Sequence, residues 1–199
     1  MTSLESALDA IATELSRLSV DFALVGGLAV SVRTEPRFTR DADLAVAVQA
    51  DAEAERLIHS LRSSGFLVQT VVEQESVGRL ATVRLAFSPQ GQTPVVDLLF
   101  ASSGIETEIV AAAETLELLP SLRMRVAAVG HLIALKVLSR DDVHRPQDLV
   151  DLRALLRVAS PAEVLRAREA LALITARRFN RGRVLHEDLA RLEEPGARS

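Results

Sequence analysis

The sequence predicts an α+β fold: a mixed β-sheet flanked by helices, followed by an all-helical C-terminal half. Three observations carry this expectation. Over the first 126 residues, apolar or β-branched runs (FALV at 22, DLAVAV at 43, FLVQTVV at 66, RLATVRLAF at 79, PVVDLLF at 94) alternate with amphipathic helical stretches. Beyond that point only helical periodicity remains, punctuated by Pro146, Pro161 and Gly182. With 199 residues, 48% of them hydrophobic, the chain has material for a large core. We place a soft boundary at 126, giving an α/β core over 1–126 and a helical part over 127–199 that completes a cleft.

In order, 3–18 reads as an amphipathic helix, with Leu4, Leu8, Ile11, Leu15 and Leu18 at three- and four-residue spacing. A strand from Phe22 ends in Gly26-Gly27, a short helix covers 28–33, and Pro36 stops it. The second strand is expected over 38–48. A helix over 50–64 carries Ala54, Leu57, Ile58 and Leu61 on its core side and closes at Gly65. Two strands fill 66–87, and Pro89-Gln90-Gly91 is a turn signal before the strand that holds Asp97. A helix is expected over 105–114, with Glu106 and Glu108 in its first turn. Weak alternation over 116–126 suggests a short strand pair. Helices then cover 129–140, 146–158, 161–178 and 182–193.

Composition removes several classes of function. Cysteine is absent, which excludes disulfides, thiolate metal sites and a thiol nucleophile. Net charge is −4, so the whole molecule does not attract nucleic acid. With no Trp or Tyr and six Phe, a single-strand binder built on aromatic stacking is disfavoured. The N-terminal stretch has acidic residues in a helical pattern, unlike a signal peptide, and no apolar run reaches membrane-spanning length. The expected compartment is the cytoplasm, without membrane partners.

The chemistry concentrates in two stretches. In the first, Asp41 and Asp43 sit two apart on a strand and so share one side of the sheet. Two carboxylates that close repel unless a cation lies between them, and hard oxygens suit Mg²⁺ (or Mn²⁺). Gly26-Gly27 offers a side-chain-free turn whose N–H groups can approach a phosphate at a helix N-terminus. Asp97 lies in the run Val95-Val96-Asp97-Leu98-Leu99-Phe100, where an isolated carboxylate is costly. It either pairs with an arginine or caps a helix, or else joins Asp41 and Asp43 as a third metal ligand, the expectation preferred here.

The second stretch is VGHLIALKVLSRDDVHRPQDLVDL. Lys136 is the single lysine among 23 basic residues and lies on an apolar helix, with Arg140 expected one turn later on the same face. Asp148 and Asp151 on the following helix offer a clamp for either cation. The alternative is that Lys136 reaches a triphosphate as a compact point charge.

The ordered set Gly26-Gly27, Arg37, Thr39, Asp41-x-Asp43, buried Asp97, Lys136, Arg140 and Asp148-x-x-Asp151-Leu152 resembles the AbiEii/AbiGii toxin family. That family includes the MenT-like toxins and belongs to the DNA polymerase β-type nucleotidyltransferase superfamily. The resemblance spans roughly 20–156. It implies the nucleotidyltransferase-type sheet and Mg²⁺-dependent transfer of a nucleoside monophosphate from a nucleoside triphosphate with release of pyrophosphate. It implies Asp41, Asp43 and Asp97 as metal ligands, with Asp97 helping to deprotonate the acceptor. Gly26, Gly27, Thr39, Arg40, Arg140 and Asp148 are then placed around the nucleotide and its phosphates, and Lys136 stabilises developing charge. The implied acceptor is RNA, foremost the 3′ end of tRNA, and a cognate antitoxin is an implied partner. One departure stands out: the superfamily often has Ser after the first glycine, where this chain has Gly27.

Eight arginines between Arg153 and Arg183 face three acids from Asp151 on, a basic region in an acidic protein. They form either a phosphate-contacting patch or an ordinary solvated face. Two other readings compete with RNA modification: the same chemistry on a small-molecule or protein hydroxyl, and a catalytically degenerate binding module.

Overall fold

The computed structural model describes residues 3–36, 39, 41–75, 77–86, 95–119, 122–141 and 143–193. The element order is α1 (Ser3–Arg17), β1 (Phe22–Val25), α2 (Gly26–Arg33), β2 (Asp41–Val46), α3 (Asp51–Ser63), β3 (Leu67–Gln74), β4 (Arg79–Ala86) and β5 (Val95–Leu99). There follow α4 (Glu106–Ala111), β6 (Glu114–Leu119), β7 (Leu122–Val126), α5 (Val129–Ser139), α6 (Pro146–Val158), α7 (Pro161–Ala176) and α8 (Leu185–Glu193). Among the described residues the strands form one sheet in the order β3-β4-β5-β2-β1-β7-β6. The β2–β5 and β1–β7 pairs are parallel and the others antiparallel. This is the α+β class the sequence predicts.

The central strands β1, β2 and β5 are covered, which is why they read as apolar runs rather than as alternating ones. At the edge, β3 leaves Leu67, Val71 and Val72 exposed. Two boundaries differ from expectation. The helix expected over 105–114 ends at Ala111, because Glu114 enters the sheet opposite Val126 and pairs with Arg33 at 2.7 Å. The last helix begins at Leu185 rather than 182, since Arg181 (φ 53°) and Gly182 (φ 71°) are left-handed and cannot start a right-handed helix. No helix among the described residues is long and apolar enough to cross a membrane.

One buried cluster runs from Ala7 on α1 to Leu192 on α8. Its helical part centres on α5, which packs on α2, α6, α7 and α8 and is buried along most of its length. The α5–α7 approach is close at Gly130, where an added Cβ would sit 2.9 Å from Cβ of Arg166 and 3.0 Å from the backbone nitrogen of Ala167. The Gly130 N–H donates to the Glu163 carboxylate at 2.6 Å. A second anchor ties the α7–α8 loop to the start of α4. There the Phe179 ring lies on Gly104 (φ 76°), and Arg177 pairs with Glu108 at 2.6 Å.

Gly130→Ala is therefore expected to push α5 from α7 and destabilise the protein by about 1–3 kcal/mol in urea denaturation. Gly78, unlike Gly130, has positive φ and nothing within 4 Å of an added Cβ, so Gly78→Ala carries only the backbone penalty. Unchanged or increased stability of Gly130→Ala, as the helix propensity of alanine alone would give, would contradict this origin of the Gly130 effect in helix packing.

Candidate active site

Sheet register assembles the site. Asp43 of β2 lies opposite Val25 of β1 on one side and Asp97 of β5 on the other, and Asp97 lies opposite Arg84 of β4. Register neighbours project to the same side of a sheet at a spacing of roughly 5 Å. A row thus crosses four strands: Arg84, Asp97, Asp43, Val25. The residue after Val25 is Gly26, which opens α2. Its φ is 66°, and an added Cβ would lie 2.6 Å from Cγ of Asp43. Glycine is required there twice over, by backbone conformation and by the carboxylate packed against it. Neither Gly26 nor Gly27 adds a side chain at the helix N-terminus, and Val25 provides no side-chain cap.

The row is electrostatically loaded. Burial pushes the Asp43 carboxyl up to about 6, helped by the neighbouring Asp97 and, less, Asp41, while Lys136 and Arg145 oppose the shift. Asp97 is 8% exposed, and both its oxygens are taken by Arg84, which donates from Nε at 2.8 Å and Nη2 at 2.7 Å. Of the possibilities the sequence left for Asp97, pairing with an arginine is the one realised in this state.

Lys136 is clamped. Its Nζ lies 2.6 Å from Asp148 and 2.8 Å from Asp151, and all three residues are buried. Asp148 also accepts from Ser139 at 3.0 Å and meets Arg145 at 3.1 Å, and Asp151 accepts from Gln147 at 3.0 Å. The triad locks α5 to α6. Removing Lys136 alone would leave two buried carboxylates without their main counter-ion, a loss on the order of 3–5 kcal/mol.

Lys136 still borders the same cleft as the carboxylate row. This cleft, of about 440 Å³, is lined by Gly26, Gly27, Asp41, Asp43, Arg84, Asp97 and Lys136, with Arg145 and Arg181 at its helical side. A further buried carboxylate shapes its wall: Glu106 accepts from the Ser102 N–H at 2.9 Å and the Ser103 N–H at 2.7 Å, fixing the loop after β5.

Other expected positions fall elsewhere. Arg140 does not continue the Lys136 face, because α5 ends at Ser139 and Arg140 adopts extended ψ 125° as its C-cap; it lines a different concavity. Asp148 lies beneath Lys136 rather than on the cleft lining, and Thr39 has a buried hydroxyl without a hydrogen-bond partner among the described residues. Ser31 donates to the Gly27 carbonyl at 3.1 Å within its own helix. Arg37 and Arg40 lie outside the described residues.

Three arginines line the cleft that the sequence did not place with its carboxylates: Arg84, Arg145 and Arg181, the last counted only within the basic region over 153–183. The signal for Arg84 was an exposed arginine interrupting an otherwise buried strand, with burial falling on Val83 and Leu85 to either side. Arg145 precedes the Pro that opens α6, a helix-start position. Arg181 carried no local signal.

Among the described residues no three His, Asp or Glu side chains are disposed as a ready metal site. The pair Asp41 and Asp43 nonetheless fits a divalent cation. Both offer hard oxygens from one side of β2, and beyond burial the neighbouring Asp97 and Asp41 carboxylates disfavour the charged form of Asp43, a repulsion that a cation would relieve. Both Asp97 oxygens accept from Arg84, so binding a cation there would compete with that pair.

In the metal-free protein Asp43 binds a proton more tightly when folded than when unfolded, where the ordinary value is 3.8. Stability should therefore fall as pH rises from about 4 to about 6 and level off above, a contribution of about 2–3 kcal/mol. Thermal unfolding of metal-free wild type and Asp43→Asn across this range checks it. The variant should gain stability relative to wild type as pH rises to about 7, beyond both values; a constant difference between the two would contradict the assignment.

A family model described as the nucleotidyl transferase AbiEii toxin of type IV toxin–antitoxin systems matches residues 8–198. No curated protein sequence matches the chain. Among solved structures, an antigenic nucleotidyltransferase-like protein from Paracoccidioides brasiliensis aligns with TM-score 0.55 and 21% identity, over 94% of this chain and 92% of that one. ANT(2'')-Ia in complex with adenylyl-2''-tobramycin aligns with TM-score 0.53 and 16% identity, over 89% and 98% of the two chains. Both likenesses concern the fold. With the family model covering nearly its whole length, the chain belongs to the AbiEii nucleotidyltransferase toxin family and is a nucleotidyltransferase.

Proposed function

We propose that the protein transfers a nucleoside monophosphate from a nucleoside triphosphate to a hydroxyl of RNA, the 3′ end of a tRNA foremost, with release of pyrophosphate. The observation that carries the reading is the row Arg84–Asp97–Asp43 ending at the Gly26 turn, inside one cleft with Lys136, Arg145 and Arg181. The N–H groups opening α2 at Gly26 and Gly27 receive phosphate oxygens. Asp41 and Asp43, joined by Asp97, hold Mg²⁺ or Mn²⁺, which when bound neutralises charge on the reacting phosphate. Arg145 and Arg181 face the cleft from the helical part after 126 and bind the outer phosphates, and Lys136, held by Asp148 and Asp151, stabilises developing negative charge.

The acceptor hydroxyl forms a new bond to the α-phosphorus, the bond to the β-phosphate oxygen breaks, and pyrophosphate leaves. The hydroxyl proton passes to Asp97. Both Asp97 oxygens accept from Arg84 in this state, so this role requires Arg84 to exchange Asp97 for phosphate oxygens. Arg84 is placed to do so, because its side chain is 44% exposed at the cleft. As a member of a toxin family the protein is read as cytoplasmic and as the partner of an antitoxin encoded alongside it.

The test is labelling with each α-labelled nucleoside triphosphate in the presence of Mg²⁺ and total tRNA, with Asp41→Asn/Asp43→Asn as control. Label is expected in RNA with wild type, reduced at least about 10³-fold in the control, the magnitude of removing the main charge-stabilising groups. Label in the protein itself, or in an added small-molecule hydroxyl but not in RNA, would overturn the acceptor. No label in any acceptor would leave a binding module.

A further inference from the structure

The structure sorts the arginines of the C-terminal region. Arg168 and Arg177 are balanced by Glu193 and Glu108 at 2.8 and 2.6 Å, and Arg166 pairs with Glu163. Arg181 and Arg183 flank a turn that parts them. The left-handed turn Arg181-Gly182 sends Arg181 into the cleft and Arg183 to the far side of the α5 C-terminus. There Arg183 donates to the Leu138 and Arg140 carbonyls, both at 3.2 Å, and pairs with Asp188 at 2.7 Å.

Arg183 shares an open concavity of about 460 Å³ with Arg140, Arg153 and Arg191, over Leu149 and Leu192. Among the described residues four guanidiniums line it with one carboxylate, Asp188, which pairs with Arg183 and lies 3.7 Å from Arg191, while Glu187 pairs with Arg191 at 3.2 Å from an exposed position. The Nε of Arg153 is buried there and has no hydrogen-bond partner among the described residues. A buried N–H without an acceptor is an unfavourable state that a ligand oxygen would relieve. Crowding is visible on the cleft side too, where burial and the nearby charges of Arg145 and Arg183 lower the affinity of Arg181 for its proton.

We infer that this arginine concavity binds a backbone phosphodiester of the RNA acceptor, beside the cleft that receives its terminal hydroxyl. Guanidinium forks match phosphate oxygens, and a planar cluster holds them with direction. The concavity is open, so a free anion gains little there, whereas a strand that also enters the cleft is held at both places. A polyanion approaching a protein of net charge −4 needs such a local basic track, and here Arg181 and Arg183 continue it from one side of α5 to the other. The inference rests on the RNA-acceptor reading and assigns the residues that hold the strand.

Fluorescence anisotropy with a labelled RNA carrying a single-stranded 3′ end tests it, using Arg153→Gln and Arg191→Gln, neither of which lines the cleft. Each variant should weaken RNA binding about 3–10-fold and make the slope of log K against log salt shallower by about 0.7 for each phosphate the protein no longer neutralises. Melting temperature and nucleoside triphosphate affinity should stay unchanged. Unchanged RNA affinity and slope in both variants would overturn the site. So would loss of inorganic phosphate binding with RNA binding intact, which would make it a free-anion site. RNA binding that falls as predicted while RNA is never labelled would keep the site and reject the transfer reaction. Labelling with unaltered RNA affinity in the variants would do the reverse.

Discussion

Two carboxylates facing each other on adjacent parallel strands are the constraint that the rest of this structure accommodates. Asp43 and Asp97 are neighbours by register, so neither can move away from the other without breaking the centre of the sheet. Their repulsion adds to burial in raising the proton affinity of Asp43. Each neighbouring feature answers it: Arg84 grips Asp97 from the next strand, Lys136 and Arg145 act on Asp43 from the helices, and Gly26 gives the Asp43 carboxylate room. A folded protein that concentrates negative charge this way gives up stability at that point, a pattern expected where a site is shaped for a cation rather than for itself.

The helical part makes the arrangement into a cleft. Lys136 is held by two aspartates of α6, which orients α5 and α6 as a pair. Phe179 on Gly104 and Arg177 on Glu108 then bring the α7–α8 loop over the end of the sheet, and that loop delivers Arg181. The wall built by Glu106 and the Ser102–Ser103 backbone lies at the same end. Negative charge from the sheet therefore faces positive charge from the helices across one concavity, although the chain as a whole is acidic.

What was legible in the sequence was what is local. Gly26-Gly27, the alternation that puts Asp41 and Asp43 on one side, and the long amphipathic helices depend on neighbours within a few residues. Arg84 depends on register between β4 and β5, 13 residues from Asp97, and no spacing rule specifies that register. Arg181 depends on a left-handed turn after α7, and its placement in the cleft is a product of docking. The Asp148–Asp151 clamp on Lys136 was one of two open alternatives, because i, i+3 carboxylates on the next helix already pointed to it. Arg140 illustrates the opposite case: helical periodicity was extended one residue past the point where α5 stops, and the face it predicts no longer applies. Likewise the 105–114 pattern was helical locally, yet its last residue serves the sheet through pairing with Val126.

The most direct measurement on the central claim is anomalous diffraction from crystals grown with Mn²⁺ and a non-hydrolysable nucleoside triphosphate. Anomalous density is predicted between Asp41 and Asp43, touching the triphosphate, with the phosphates over Gly26 and Gly27 and Arg84 released from Asp97. Manganese bound away from these carboxylates, with the triphosphate outside the cleft and Arg84 still on Asp97, would contradict it.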